Sequence, residues 1–231
     1  VNLTDAGLFL KEKWQAEVSA LEMIHQQARQ IHLGESGTIK IAHPDSLSSS
    51  FIPEILSKIS AAFPKLNIEL LQLPYSEEDD ALKNYRIDIL FNRDINQSAF
   101  LHSKRLATEP LCLVVPTDHH FTTIEDITAS NLSDQKFILT HGGGDSSYDM
   151  ILEDIFKHYD IHPASNISTQ FGSTVISLIK KGLGISILPE SYVHYDGTFV
   201  RFIPLPFCSD LYINWRKDDS NIIIRNIIDL L

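Results

Sequence analysis

The stretch that decides the fold lies between residues 37 and 64 and reads GTIKIAHPDSLSSSFIPEILSKISAAFP. Residues 39–42, Ile-Lys-Ile-Ala, predict a short strand, and the Pro-Asp-Ser sequence at 44–46 is typical of a turn. Apolar residues then recur every three or four positions over 51–63, which predicts a helix. Pro64 ends that helix, because proline lacks the backbone N–H that a helix needs. A strand, a turn and a helix in this order form one βα unit.

The same alternation of strands and helices continues to the end of the chain. It predicts strands at 68–73, 87–91, 100–106, 111–115, 137–140, 166–171, 185–188, 198–203 and 211–215, and helices at 77–85, 150–156, 173–181 and 222–231. Repeated βα units imply a mostly parallel sheet with helices on both of its faces. Extended segments near 115–116 and 197 join two such sets, which indicates two α/β lobes.

A long amphipathic helix is predicted before the first strand, with Thr4 as its N-cap. The residues of its apolar side, three or four positions apart, include Trp14, Val18, Leu21 and Ala28. Because this stripe has little of its own domain to pack on, we expect it to pair with a helix of a second subunit. The alternative is a helix that lies back on its own domain. The chain enters this helix without an initiator methionine, and we interpret it as part of a longer protein.

The composition excludes several classes of protein. The 231 residues include 43% hydrophobic residues, and no apolar run approaches the roughly 20 residues that cross a bilayer. The chain carries 19 basic against 30 acidic residues, a formal net charge of -11, so it is not expected to bind nucleic acid tightly by itself. With two distant cysteines and no secretory signal, the sequence favours a cytoplasmic location.

Several short motifs, taken in chain order, resemble the LysR-type transcriptional regulators. They are LTDAG at 3–7 before the long helix, GTIKI at 37–41, IPEIL at 52–56 with Phe-Pro at 63–64, IDIL at 87–90, LVVPTDH at 113–119 and KGLGISILP at 181–189. The resemblance covers essentially the whole chain. It resembles the effector-binding part of the family, preceded by the end of a DNA-binding domain.

The resemblance implies a fold and a function. The implied fold is two Rossmann-like lobes of the type 2 periplasmic-binding-protein kind, joined by two crossover strands. Residues 1–36 would hold the end of a winged helix-turn-helix domain and the linker helix, residues 37–115 with 197–231 lobe I, and residues 116–196 lobe II. The implied function is to sense a small-molecule effector between the lobes. Binding to promoter DNA would occur only through the absent N-terminal domain, in a homodimer or homotetramer.

The expected effector site lies where loops and helix starts of the two lobes face each other. The resemblance and the expected loop positions select Pro44, Asp45, Ser46, Asn92, Arg93, Gly143, Asp145, Ser146, Phe171, Ser173 and Thr174. Free N–H groups at the helix starts near Ser46, Ser146 and Ser173 would offer donors to a polar ligand. Simple roles remain open: Asp45 and Ser46 as helix caps, residues 142–144 as a mobile loop, and Phe171 as a core residue.

The charges around this site suggest what kind of effector it takes. Asp45 and Asp145 lie on the expected rim, and Arg93 is the single cation in the loops considered. Unpaired carboxylates repel an anion, strongly so where water is excluded. We therefore expect an effector that is neutral or carries an amine, rather than a simple carboxylate.

Other chemistry is weakly supported by the sequence. The ten histidines show no metal-binding spacing on one helix face, and the serines at 48–50 lack the Gly-x-Ser-x-Gly pattern of a catalytic elbow. Cys112 and Cys208 have no basic neighbour in sequence that would lower a thiol pKa. No metal, cofactor or enzymatic activity is predicted. The two alternatives are a solute-binding protein for uptake and an α/β enzyme that uses Asp45, Asp145 or a histidine.

Overall fold

The computed structural model describes residues 3–48, 50–95, 98–140, 146–196 and 198–231. The strands are β1 (Ser36–Ala42), β2 (Lys65–Leu71), β3 (Ile89–Asn92), β4 (Leu101–Pro116), β5 (Lys136–Thr140), β6 (Ala164–Thr169), β7 (Ser186–Pro189) and β8 (Val200–Arg216). The helices are α1 (Asp5–His32), α2 (Phe51–Ala62), α3 (Tyr75–Lys83), α4 (Ala129–Ser133), α5 (Ser147–His158), α6 (Gly172–Ile179), α7 (Val193–Asp196) and α8 (Ile222–Leu230). Single 3₁₀ turns lie at Asp45–Leu47, Ile124–Asp126 and Glu190–Tyr192.

The strands form one large mixed sheet and a smaller parallel pair. The large sheet has the order β2-β1-β3-β8-β4-β7, and β5 pairs with β6. Strand β1 runs parallel to both β2 and β3, whereas β8 and β7 pair antiparallel with their neighbours. A parallel bridge between Phe137 and Ile185 brings β5 beside the segment before β7. The prediction of parallel pairing is therefore correct for β1 with β2 and β3 and for β5 with β6. It is wrong for the long strands β4 and β8, which pair antiparallel with each other.

Two long strands connect the lobes. Strand β4 pairs with β8 from Leu101 opposite Arg216 to Pro116 opposite Val200. The sequence predicted two shorter strands in each of these places, because polar residues and Pro110 interrupt the apolar pattern. Register shifts at 105–107 and 110–112 absorb the interruption, since bulges let a twisted pair of strands continue past residues that do not fit the ladder.

The buried side chains form separate cores on either side of this crossing. The first core joins β1, β3, α2 and α8 and includes Ile39, Ile59, Leu211 and Ile213. The second joins β4, β5, α5 and β8 and includes Leu111, Phe137, Ile155 and Ile203. Full burial of such a side chain contributes about 1.5–3 kcal/mol. The change from one core to the other thus falls inside β4, between Ala107 and Leu111, and inside β8, between Phe207 and Leu211.

Helix α1 extends away from both lobes with its apolar side uncovered. Thr4 Oγ1 accepts the Gly7 N–H at 3.2 Å, which confirms the predicted N-cap. Trp14 is 62% exposed and Leu21 is 56% exposed. Contacts with the lobes lie near its C-terminal end, where Lys65 Nζ donates to Gln30 Oε1 at 3.0 Å. The alternative of a helix lying back on its own domain is wrong.

Candidate functional site

A cavity of about 390 Å³ lies between the lobes, where the loops after β1 and β3 face the starts of α5 and α6. Seven of the predicted site residues line it, namely Pro44, Asp45, Ser46, Asn92, Arg93, Ser146 and Phe171. Ser173 and Thr174 follow Gly172, which lines the cavity, but are not themselves part of the lining. Gly143 and Asp145 lie outside the described residues, as does Gly142.

Asp45 joins the two lobes across this cavity. Its Oδ2 accepts the backbone N–H of Ser173 at 3.0 Å and the Tyr192 hydroxyl at 3.2 Å, and its Oδ1 accepts the Tyr195 hydroxyl at 3.2 Å. A carboxylate at a helix N-terminus is stabilised by the helix dipole and by the unpaired N–H groups there. The prediction of a free N–H at Ser173 is therefore wrong, because a residue 128 positions away occupies it.

Asp94 plays the same part at the other helix start. Its Oδ1 accepts the backbone N–H of Ser147 at 2.6 Å. Ser146 is the N-cap of α5 and accepts the Asp149 N–H at 3.1 Å. Both helix starts of the second lobe that face the cavity are thus held by carboxylates of the first lobe.

Ser46 does not cap α2, because it lies in the 3₁₀ turn Asp45–Leu47 and α2 begins only at Phe51. Its hydroxyl instead accepts a hydrogen bond from Arg93 Nη2 at 3.3 Å. The same nitrogen lies 2.6 Å from Glu109 Oε2 in an almost fully buried ion pair. The other carboxylate oxygen of Glu109 accepts the backbone N–H of Ser191. The charge of Arg93 is therefore balanced by the protein itself.

Glu78 is a site residue that the sequence analysis missed. It lines the cavity and is only 6% exposed, and its Oε2 accepts the Asn92 side-chain amide at 3.1 Å. Burial raises the pKa of Glu78 to about 7, the Asn92 hydrogen bond partly opposes this, and the negative charges of Asp94 and Asp79 add to it. The i, i+3 spacing of Tyr75 and Glu78 was the available sequence signal, because it puts both on one face of α3.

Aromatic rings complete the lining. Tyr75, Tyr148, Phe171 and Tyr192 all contribute to it. Burial and the nearby charge of Asp94 raise the pKa of Tyr75 to about 12, and burial with the charge of Asp45 raises the pKa of Tyr192 far above its ordinary value. These hydroxyls stay protonated and can donate hydrogen bonds. Nothing in the sequence around Tyr192 indicated its place in the site.

Other chemical features are limited. Within the described residues, no group of three or more His, Cys, Asp or Glu side chains could hold a metal ion. Cys112 is buried in β4, and burial raises the pKa of its thiol to about 12, so it stays protonated. No helix in the described part of the chain is long and apolar enough to span a bilayer.

A two-lobed domain with a cavity lined from both sides defines a class of small-molecule binding domains. A model of the LysR substrate binding domain matches residues 32–231, so the chain belongs to this family. It carries the effector-sensing part of a LysR-type transcriptional regulator, and the family assignment confirms the predicted resemblance and favours a regulator over a solute-binding protein for uptake.

The relatives extend over most of the chain. The HTH-type transcriptional regulator CatR of Pseudomonas putida is 25% identical over 234 residues, covering 100% of this chain and 80% of CatR. The HTH-type transcriptional regulator BenM of Acinetobacter baylyi is 25% identical over 199 residues, covering 84% of this chain and 66% of BenM. These relatives are regulators and not enzymes.

Solved structures establish the fold. The LysR family regulator CbnR matches with a TM-score of 0.86 at 19% identity, covering 99% of this chain and 80% of CbnR. The effector-binding domain of BenM with its effector benzoate matches with a TM-score of 0.70 at 23% identity, covering 84% of this chain and 89% of that one. The predicted architecture of two lobes with crossover strands is confirmed.

Proposed function

We propose that this regulator binds its effector in the cavity between the lobes. The observation that carries the proposal is the lining itself, which comes from both lobes and is crossed by the Asp45 contacts to Ser173 and Tyr192. A ligand held from both sides has unequal affinity for open and closed arrangements, so it shifts the population between them. The resulting movement changes how subunits pack and so how their DNA-binding domains are spaced.

The proposed contact residues are those predicted residues that line the cavity: Pro44, Asp45, Ser46, Asn92, Arg93, Ser146 and Phe171. Ser173 and Thr174 would act on the ligand indirectly, through the position of α6. The proposed change of lobe falls between residues 107 and 111 in β4 and between 207 and 211 in β8. This assignment is supported by the core residues Leu111 and Leu211, which pack in different cores.

The proposed effector is neutral or carries an amine. Helix starts and arginine side chains are the groups that bind carboxylates. In this cavity Asp45 and Asp94 already occupy the helix starts, and Glu109 already pairs with Arg93. An anion would therefore face these carboxylates, and of the Arg93 guanidinium Nη1 is the buried nitrogen that lacks a hydrogen-bond partner among the described residues. BenM, whose effector is benzoate, marks the contrasting case within the same fold.

The α1 helix is the proposed contact between copies of the chain. Trp14, Val18 and Leu21 are 62%, 53% and 56% exposed on its apolar side, and Ala28 is exposed as well. A stripe of this kind on an extended helix is buried favourably against a second helix. We propose a homodimer or homotetramer that acts in the cytoplasm, binds promoter DNA through an N-terminal domain and catalyses no reaction.

A thermal-shift screen of a metabolite library tests the proposed function. A compound that binds the folded state raises the melting temperature by mass action. Phe171→Ala removes an exposed aromatic wall of the cavity and should weaken a hit by about five- to tenfold. Phe100→Ala removes an aromatic ring that is 69% exposed and absent from the lining, and it is the matched control. Hits that both variants affect equally contradict the cavity as the binding site.

The preference for a neutral or amine effector is tested by calorimetry with organic acids and amines. Asp45→Asn removes one negative charge from the lining and should improve the binding of any anion that enters the cavity. Tight binding of a dianion that Asp45→Asn leaves unimproved contradicts this preference.

A further inference from the structure

The carboxylates of the cavity differ in how fully the protein satisfies them. Asp45 accepts hydrogen bonds from Ser173, Tyr192 and Tyr195. Asp94 accepts the Ser147 N–H at the start of α5. Glu78 has a single hydrogen-bond donor among the described residues, the uncharged amide of Asn92. Glu78 is therefore the buried acid of the lining that no helix start stabilises.

The neighbours of Asn92 determine which of its side-chain atoms faces Glu78. Its Oδ1 accepts hydrogen bonds from the Asn214 side chain at 2.9 Å and from the Asp94 backbone N–H at 3.2 Å. Its amide nitrogen is therefore the group that points to Glu78, since a flipped amide would set its own N–H groups against the backbone N–H of Asp94. Glu78 is held on the wall of the cavity by this chain of bonds.

The charges that face Glu78 are negative. Asp94 and Asp79 are the charged neighbours that act on it, and both raise its pKa. The cation of the lining, Arg93, is paired with Glu109, and its other terminal nitrogen is buried without a hydrogen-bond partner among the described residues. A carboxylate that is buried beside a second carboxylate stays charged only when a cation joins it, and otherwise it takes up a proton.

We propose that the effector is an organic cation whose protonated amine is bound by Glu78, with its carbon body between the aromatic rings of the cavity. This inference rests on the proposed function, because it names the ligand class of the same cavity. An ammonium group supplies up to three donors, which suit the carboxylate oxygens of Glu78 and the neighbouring Asp94. Tyr75, Tyr148 and Phe171 offer the ring faces and apolar area that favour a cation over a neutral isostere.

Such binding is linked to a proton. The amine binds the ionised form of Glu78, so occupation of the site releases the proton that the carboxyl holds near and below neutral pH. With a pKa of about 7, the ionised fraction rises about tenfold between pH 6 and pH 8. The apparent affinity for an amine that stays protonated over this range therefore rises by about the same factor.

The test uses sets of compounds that share a shape and differ in charge. One set is benzylamine, benzyl alcohol and benzoate, and a second is hexylamine, hexanol and hexanoate, measured by calorimetry against the whole chain. Within at least one set, we expect the amine to bind at least tenfold tighter than its alcohol and its acid. Glu78→Gln should remove this preference. Glu77→Gln, which deletes an exposed carboxylate of the same helix outside the lining, should keep it.

The outcomes separate the two proposals. An acid that binds tighter than its amine, or an amine whose binding Glu78→Gln leaves unchanged, overturns the inference. If such an acid is weakened by Phe171→Ala, the cavity remains the binding site and only the ligand class is wrong. If no member of either set binds at millimolar concentration, the inference is overturned. If the thermal-shift screen of the metabolite library also gives no hit, the proposed function is contradicted too.

Discussion

Replacement of Glu78 by glutamine should change how the stability of the protein depends on pH. The carboxyl of Glu78 has a pKa raised from 4.5 to about 7 by burial and by nearby negative charges. Between these two pH values the folded protein keeps the proton of Glu78, while the unfolded chain has lost it. The stabilisation from the raised pKa is present below about pH 4.5 and is lost as the pH rises through about 7.

The magnitude follows from the same shift. One pKa unit corresponds to about 1.4 kcal/mol, so the free energy of unfolding contributed by this group falls by up to about 3 kcal/mol over the window. Glutamine does not titrate and still offers an oxygen to the Asn92 amide. The stability of Glu78→Gln relative to the unmodified protein should therefore increase by up to about 3 kcal/mol between pH 4.5 and pH 8.

Urea unfolding measured in half-unit steps of pH provides the assay, with the free energy extrapolated to zero denaturant. Glu54→Gln, at an exposed carboxyl of α2, is the control for loss of a surface charge. A stability difference between Glu78→Gln and the unmodified protein that stays constant to about 0.5 kcal/mol over this range would refute the argument. So would a difference that decreases with pH, because the sign is fixed by the raised pKa.

Three further perturbations probe the contacts between lobes and between subunits. Asp45→Asn leaves the backbone N–H of Ser173 with a weaker acceptor and should lower the free energy of unfolding in urea by about 1–3 kcal/mol. An unchanged free energy of unfolding at pH 7 would contradict the role of Asp45 as a contact between the lobes. Glu109→Gln leaves the buried charge of Arg93 unpaired and should lower the free energy of unfolding by about 3–5 kcal/mol. Adding Arg93→Met should restore part of this loss, and a double variant that is less stable than the single one contradicts the pairing. Val18→Asp on the exposed face of α1 should weaken subunit association at least tenfold, measured by sedimentation equilibrium, and should leave the melting temperature of the lobes unchanged. Association that stays unaltered excludes this face as the interface.

The elements of the fold were largely predictable because their signals are local. The periodic apolar residues of α1, α2 and α8 and the turn at 44–46 follow from patterns within a few positions. The full lengths of β4 and β8 were not predictable, because Pro110 in β4 and Pro204 and Pro206 in β8, with polar residues near them, break the alternation that marks a strand. Only the pairing of the two strands along their whole length shows that each is continuous.

The candidate site was predictable in its loops and not in its chemistry. Seven predicted residues line the cavity, five at the ends of β1 and β3 and two at the starts of α5 and α6, and these remain predictions as ligand contacts. Glu78 was missed because a glutamate in a polar helix is usually solvated, and its burial depends on the neighbouring β3 and on the loop after it. Tyr192 was missed because its ring reaches Asp45 from a turn 147 positions later.

The sequence by itself determined the two βα sets, the apolar helix before them and the acidic character of the chain. These features depend on residue type and spacing, and both are given completely by the amino-acid sequence. Only the tertiary structure decided that Asp45 and Asp94 occupy the helix starts of the opposite lobe. It also decided that Glu78 has, among the residues that the structure describes, a single hydrogen-bond donor. The reason is physical: desolvation and charge pairing depend on which groups folding brings within about 3 Å of each other, and those groups lie far apart along the chain.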